Sequence, residues 1–173
     1  MSDTDESLRS HVNYIGEQLE AAVRGDLYCI DGDEVIIEDI DEWKQEEHKK
    51  AVEEFKNEHP ESDGFDKDLY DTYEKFVEDE VGSAEDVEEP ESMDLQEYLE
   101  KIELGDVRYE IDSGMEFLSG KTLITCGGPT IWVTDDYVEG YWGSSECSYP
   151  LDSQTREMLY DIFSERYNMS RDI

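Results

Sequence analysis

The apolar positions in the first hundred residues recur at helical spacing. Leu8, Val12, Ile15, Leu19 and Ala22 form one stripe at steps of three and four, and Gly25 follows Arg24 where a helix would stop. LYCIDGDEVIIEDI then places two short apolar patches around Asp31-Gly32-Asp33, the pattern of a hairpin or an irregular turn. From Asp41 to about His59 the spacing predicts a second helix with Trp43, Ala51, Val52 and Phe55 inward. It ends before Pro60, whose predecessor is biased away from helix. A third helix, from about Asp66 to Val81, carries Leu69, Tyr70, Tyr73, Phe76 and Val77 on one side and Asp68, Asp71, Glu78 and Asp79 on the other. Residues 82–92, GSAEDVEEPES, have no period and read as an exposed, mobile linker. A short helix follows, with Leu95, Tyr98, Leu99 and Ile102 inside and Gly105 closing it.

Beyond Gly105 the period falls from 3.6 to 2. Val107, Tyr109 and Ile111 alternate with charged residues, and Leu123 to Cys126, Thr130 to Thr134 and Tyr137 to Trp142 read as three further strands of an antiparallel meander. Gly127-Gly128-Pro129 supplies one turn and Asp135-Asp136 the next. Alternation separates Ile131 and Val133 from Trp132, so that Trp132, Tyr137 and Tyr141 can line one side. Asp152 caps a last helix whose Met158, Leu159, Ile162 and Phe163 can cover the sheet. The predicted class is α+β, with acidic helices in the first part and an antiparallel β-meander in the second part, covered by a C-terminal helix. Two regions, 1–105 and 106–173, and a single compact domain interrupted by the 82–92 linker are both compatible with this pattern.

Composition changes the picture through charge. The 173 residues include 49 Asp and Glu against 14 Lys and Arg, a net charge of -35, yet 36% of them are apolar and 11% aromatic. That apolar share is enough for a core, so the acid belongs on the surface of a folded object. Residues 1–105 carry 36 acidic and 9 basic residues and residues 106–173 carry 13 and 5. Cys29, Cys126 and Cys147 are three in number and have no CxxC spacing, which fits small buried apolar residues in a reducing compartment. MSDTDESLRS has neither a basic nor an apolar run, and the longest aliphatic run is Val35 to Ile37, so a cytoplasmic protein is expected.

Candidate chemistry is sparse. Gly127-Gly128-Pro129 lacks the spacing of a phosphate loop and precedes a strand. DGDEVIIEDIDE and SDGFDKDLYD do not place acids at positions 1, 3, 5 and 12 around a Gly at 6, so no calcium loop is expected. His11, His48 and His59 read as exposed residues on helix surfaces or ends, without zinc spacing. GYWGSSE, which holds Ser144 and Ser145, is not a nucleophile elbow. No metal, cofactor or catalytic residue is predicted, and the expectation is a protein that is not an enzyme.

The charge is then the main functional signal. Glu42, Glu46 and Glu53 on one predicted helix, and Asp68, Asp71, Glu74, Glu78 and Asp79 on the next, recur at outward positions. Such steps set carboxylates about 5 to 6 Å apart on a helix face, near the spacing of charges on a nucleic-acid backbone. A small soluble domain needs a net charge of only about 2 to 8, and more than that costs stability by self-repulsion. Small size, extreme acidity, acidic helix faces and a compact sheet together resemble the phage- and plasmid-encoded anti-restriction and anti-CRISPR inhibitors, several of which mimic DNA. TCGGPTIWVTDDYVEGYWG is similar to part of some mobile-element reading frames. The resemblance implies an inhibitor that occupies the basic DNA-binding surface of a CRISPR or restriction nuclease, with no direct nucleic-acid or membrane contact. Two other readings stay open: a halophilic or otherwise acidic binding module that uses Trp132, Tyr137 and Tyr141, and an enzyme with carboxylate chemistry.

Overall fold

A computed structural model describes residues 3–172. Among them are five α-helices and two antiparallel sheets, an α+β arrangement. In order these are α1 (Asp3–Arg24), β1 (Leu27–Ile30), β2 (Asp33–Ile36), α2 (Ile40–Glu58), α3 (Tyr73–Val81), β3 (Glu91–Ser92), α4 (Leu95–Ile102), β4 (Val107–Ile111), β5 (Phe117–Thr125), β6 (Thr130–Thr134), β7 (Tyr137–Trp142), β8 (Ser145–Pro150) and α5 (Ser153–Arg171). The packing does not divide the chain near residue 105. One compact unit consists of the chain up to Ile36 and from Ser92 onward, and a second consists of Ile37–Glu91. The hydrophobic period changes near Gly105, but α1 and α4 bury their apolar stripes with the sheet.

In the first unit, β4 to β8 form a five-stranded meander in sequence order. One face is covered. The predicted stripe of α1 is fully realised, with Leu8, Val12, Ile15, Leu19 and Ala22 all buried, and α4 contributes Leu95, Tyr98 and Leu99. The helices come close because the sheet presents glycines to them. A Cβ on Gly140 would lie 2.6 Å from Val12, and one on Gly120 would lie 2.7 Å from Phe163. On α5 the buried row is Thr155, Leu159, Phe163 and Tyr167, while Met158 is exposed and Ile162 only half-buried. The strict four-residue step from Thr155 selects that row. Steps of three and four from Met158 would turn the helix by most of a residue.

Two strands differ from the pattern. β5 is nine residues long, and its start was masked by Ser119 and Gly120. β8, SECSYP, pairs with the whole length of β7 although four of its six residues are Ser, Cys or Pro and not the β-branched or aromatic residues that strands favour. A bulge between Glu110 and Ile111 leaves Ile111 exposed. The cysteines are not the buried trio expected: Cys126 is exposed in the β5–β6 turn, and Cys29 and Cys147 are half-buried.

The smaller sheet has the order β2-β1-β3. Asp31 and Gly32, both at positive φ, join β1 to β2 in the two-residue turn that favours such residues. Leu27 pairs with Ile36 on one side, and on the other its carbonyl accepts the Met93 N–H at 2.9 Å.

The second unit is built differently. α2 has no fully buried residue, and Ala51, expected inside, is exposed. What holds this unit is a ring cluster around Phe76. Its ring centroid lies 5.4 Å from that of Tyr70, 5.5 Å from Phe55, 5.8 Å from Phe65 and 6.2 Å from Tyr73. Such pairs stabilise by about 0.5 to 1.5 kcal/mol each beyond area burial. α3 begins at Tyr73, seven residues later than predicted. Thr72 caps it by accepting the Lys75 N–H, and the Asp66 carboxylate turns the preceding chain by accepting the Asp68 N–H. Leu69 therefore leaves the apolar side and is 73% exposed. Residues 82–92 do not run free along α2. Ser83 and Asp86 form a capping box, His48 Nε2 lies 2.9 Å from the Gly82 carbonyl, and Lys44 pairs with Glu89 at 2.8 Å.

Candidate functional site

All eight acidic candidates, Glu42, Glu46, Glu53, Asp68, Asp71, Glu74, Glu78 and Asp79, are exposed and lie in the second unit. Residues 37–91 hold 23 acidic and 6 basic residues, net -17 over 55 residues, and the remaining 118 residues hold 26 and 8, net -18. The smaller unit thus carries about twice the charge per residue. Its ring cluster and caps fix the backbone beneath that charge.

The eight are not equivalent. Glu42, Glu46 and Glu53 share a face of α2, but Lys49 falls in the same row and interrupts it. Asp68 and Asp71 lie in the turns before α3 and not on the helix as predicted. Three of the eight are engaged. Asp71 meets Lys75 at 3.4 Å, Glu74 meets Lys56 at 3.4 Å, and Asp79 accepts from the Tyr70 hydroxyl at 2.6 Å. That hydrogen bond to a carboxylate pushes the Tyr70 phenol up to about 12. Among the described residues, no Lys or Arg side chain pairs with Glu42, Glu46, Glu53, Asp68 or Glu78. These five present unneutralised charge.

The three aromatic candidates lie on the outer face of the five-stranded sheet, but their exposure differs. Trp132 is 7% exposed, because Arg108 from β4 and Lys121 from β5 lie 4.7 and 4.6 Å from its ring centre. It is a covered platform and not a free contact surface. Tyr137 and Tyr141 are 40% and 42% exposed. Between them on β7, Glu139 meets Lys121 at 3.4 Å and accepts from the Tyr141 hydroxyl at 3.1 Å. At the β6–β7 turn the Asp135 carboxyl is raised above its usual range by burial and then by the neighbouring Asp136 charge. Glu139 and Asp135 were both missed from the sequence. Their signal was register alone, since each is one acid among 49.

His11 and His59 are exposed as expected, and His48 is half-buried by its hydrogen bond. No group of three or more His, Cys, Asp or Glu among the described residues is placed to hold a metal ion, and no helix among them is long and apolar enough to cross a membrane. Compared with family models, curated proteins and solved structures, the chain matches none.

Proposed function

We propose that the protein is a non-enzymatic nucleic-acid mimic, whose second unit occupies the basic DNA-binding surface of a host defence nuclease such as a CRISPR effector or restriction enzyme. The observation that carries this reading is the concentration of net -17 in 55 residues, with all eight outward carboxylates exposed and five of them unneutralised. Charges held on a fixed scaffold lose less freedom on association than charges on a flexible tail. A basic groove built for phosphates would meet an array of exposed carboxylates here. The same field opposes contact with DNA itself.

The test is capture. Immobilised protein is exposed to a bacterial host lysate at low salt, and the retained proteins are eluted either with salt or with duplex DNA. Nucleic-acid-binding nucleases released by both eluents support the reading. Retention of partners that duplex DNA cannot displace would refute it.

A further inference from the structure

The outer sheet face of the first unit holds cations in a consistent way. Arg108 and Lys121 lie over the Trp132 ring, and Lys121 reaches Glu139 at 3.4 Å. Arg108 likewise meets the Asp106 carboxylate at 3.4 Å, so each cation has an aromatic face and a carboxylate beside it. Immediately beside this arrangement Tyr141 and Glu146 repeat the aromatic face and the carboxylate, and among the described residues no Lys or Arg pairs with Glu146. Tyr137, Glu139 and Tyr141 stand at alternate positions on β7 and so point to one side of the sheet. Across the strand pair, Glu146 on β8 is opposite Tyr141 and Ser148 is opposite Glu139. These five side chains line a shallow cavity of about 370 Å³.

Its chemistry is specific. The two Tyr rings offer negative π faces, and Cα atoms four residues apart on a strand are separated by about 13 Å. That is too far for one cation to stack on both, but a planar cation between Tyr141 and Glu146, which face each other across the strand pair, can stack on the ring and meet the carboxylate. Glu139 is already oriented by Lys121 and Tyr141, which leaves Glu146, exposed and without an ion pair among the described residues, to accept the incoming charge. The negative field at this place also raises the Tyr137 phenol, chiefly through Glu139.

The geometry points to a docking slot for an arginine side chain of a protein partner, formed by Tyr137, Glu139, Tyr141 and Glu146. Arginine fits better than lysine because its guanidinium can stack on a ring and bond a carboxylate through two N–H groups at once. The slot lies wholly in the first unit and does not depend on the proposed mimicry by the second.

The experiment is an NMR titration of the full chain with N-acetyl-arginine amide, a single cation, in about 0.15 M salt, where exposed charges are screened beyond about 8 Å. Saturable shifts centred on the β7 and β8 amides and on the Tyr137 and Tyr141 rings are expected at about millimolar concentration. The neutral analogue N-acetyl-citrulline amide should leave them in place. Glu146→Gln and Tyr141→Leu should each weaken binding about fivefold, with the inner-face resonances of Val133 and Val138 unchanged. Replacing Glu42, Glu46, Glu53 and Glu78 by Lys should leave the slot affinity within about twofold, because none of them lines the slot. Shifts of equal size with citrulline, shifts without a maximum at β7 and β8, or unchanged affinity in both slot variants would overturn the proposal.

Discussion

Tyr149 on β8 lays its ring against α1 at Gly16, where a side chain would overlap it, and its hydroxyl donates to Glu20 one turn further along the same helix. The second oxygen of Glu20 accepts the Asp152 N–H at 3.1 Å, at the cap of α5. The ring is thus held at both ends. Gly16→Ala would ordinarily gain about 1 kcal/mol in a helix, but overlap with a ring that cannot retreat costs about 1 to 3 kcal/mol. A net loss of stability is expected in denaturant unfolding. In a Tyr149→Ala background the same substitution should become neutral or stabilising, a coupling that a double-mutant cycle measures directly.

Asp135 is 7% exposed, and burial raises its carboxyl above the usual aspartate range. A group whose pKa is higher folded than unfolded contributes stability below the unfolded value and loses it as pH rises through the folded value. At neutral pH the ionised Asp135 therefore weakens the fold. Asp135→Asn should raise the melting temperature at pH 7, and the difference from the parent should shrink on acidification toward the ordinary aspartate value near 3.9. Thermal unfolding over that pH series is the measurement, and a difference constant with pH would contradict the assignment.

For the acidic unit, charge location should outweigh charge count. Replacing Glu42, Glu46, Glu53 and Glu78 by Lys removes carboxylates that make no ion pair among the described residues. Inhibition of a captured nuclease should fall at least about tenfold, equivalent to roughly 1.4 kcal/mol. The same change at Glu116, Glu157, Asp161 and Glu165, exposed on the first unit, should do much less. Equal losses in the two variants would mean that bulk charge, and not a surface, is responsible.

Phe76 is the hub of the second unit's ring cluster. Phe76→Ala should cost about 3 kcal/mol there. Hydrogen exchange should speed up across α2 and α3 while the amides of β5 to β7 keep their protection. Uniform acceleration in both units would show that they unfold together.

Helices with long, regular apolar rows were legible: the row on α1 from Leu8 to Ala22 is buried as read, and Asp152 caps α5. The turns at Asp31-Gly32 and Asp135-Asp136 were visible in their residue types. The start of α3 was not, because Leu69 and Tyr70 continue the helical period while Thr72 and Asp66 offer the backbone competing hydrogen bonds. β8 was hidden because its pairing partner, and not its own composition, makes it a strand. The exposure of Glu42, Glu46, Glu53, Glu74, Glu78 and Asp79 was readable from their spacing against the apolar positions, whereas Asp68 and Asp71 are exposed because they lie in turns, not on the helix face expected. Which of them are neutralised depended on tertiary neighbours, as with Glu74 and Lys56. The cover over Trp132 likewise comes from strands 11 and 24 residues away in sequence.

The chain departs from Ile36 and resumes at Met93 on either side of Leu27. With strands 4.7 to 4.9 Å apart, those two exits are separated by about 10 Å, a gap that three or four extended residues can bridge. Residues 37–90, which lie between β2 and β3, are accordingly a cassette. Cutting them out and rejoining the ends by a short Gly-Ser splice removes no residue of β1, β2 or β3. Such a socket lets the acidic surface be exchanged for another while the body that carries it stays the same.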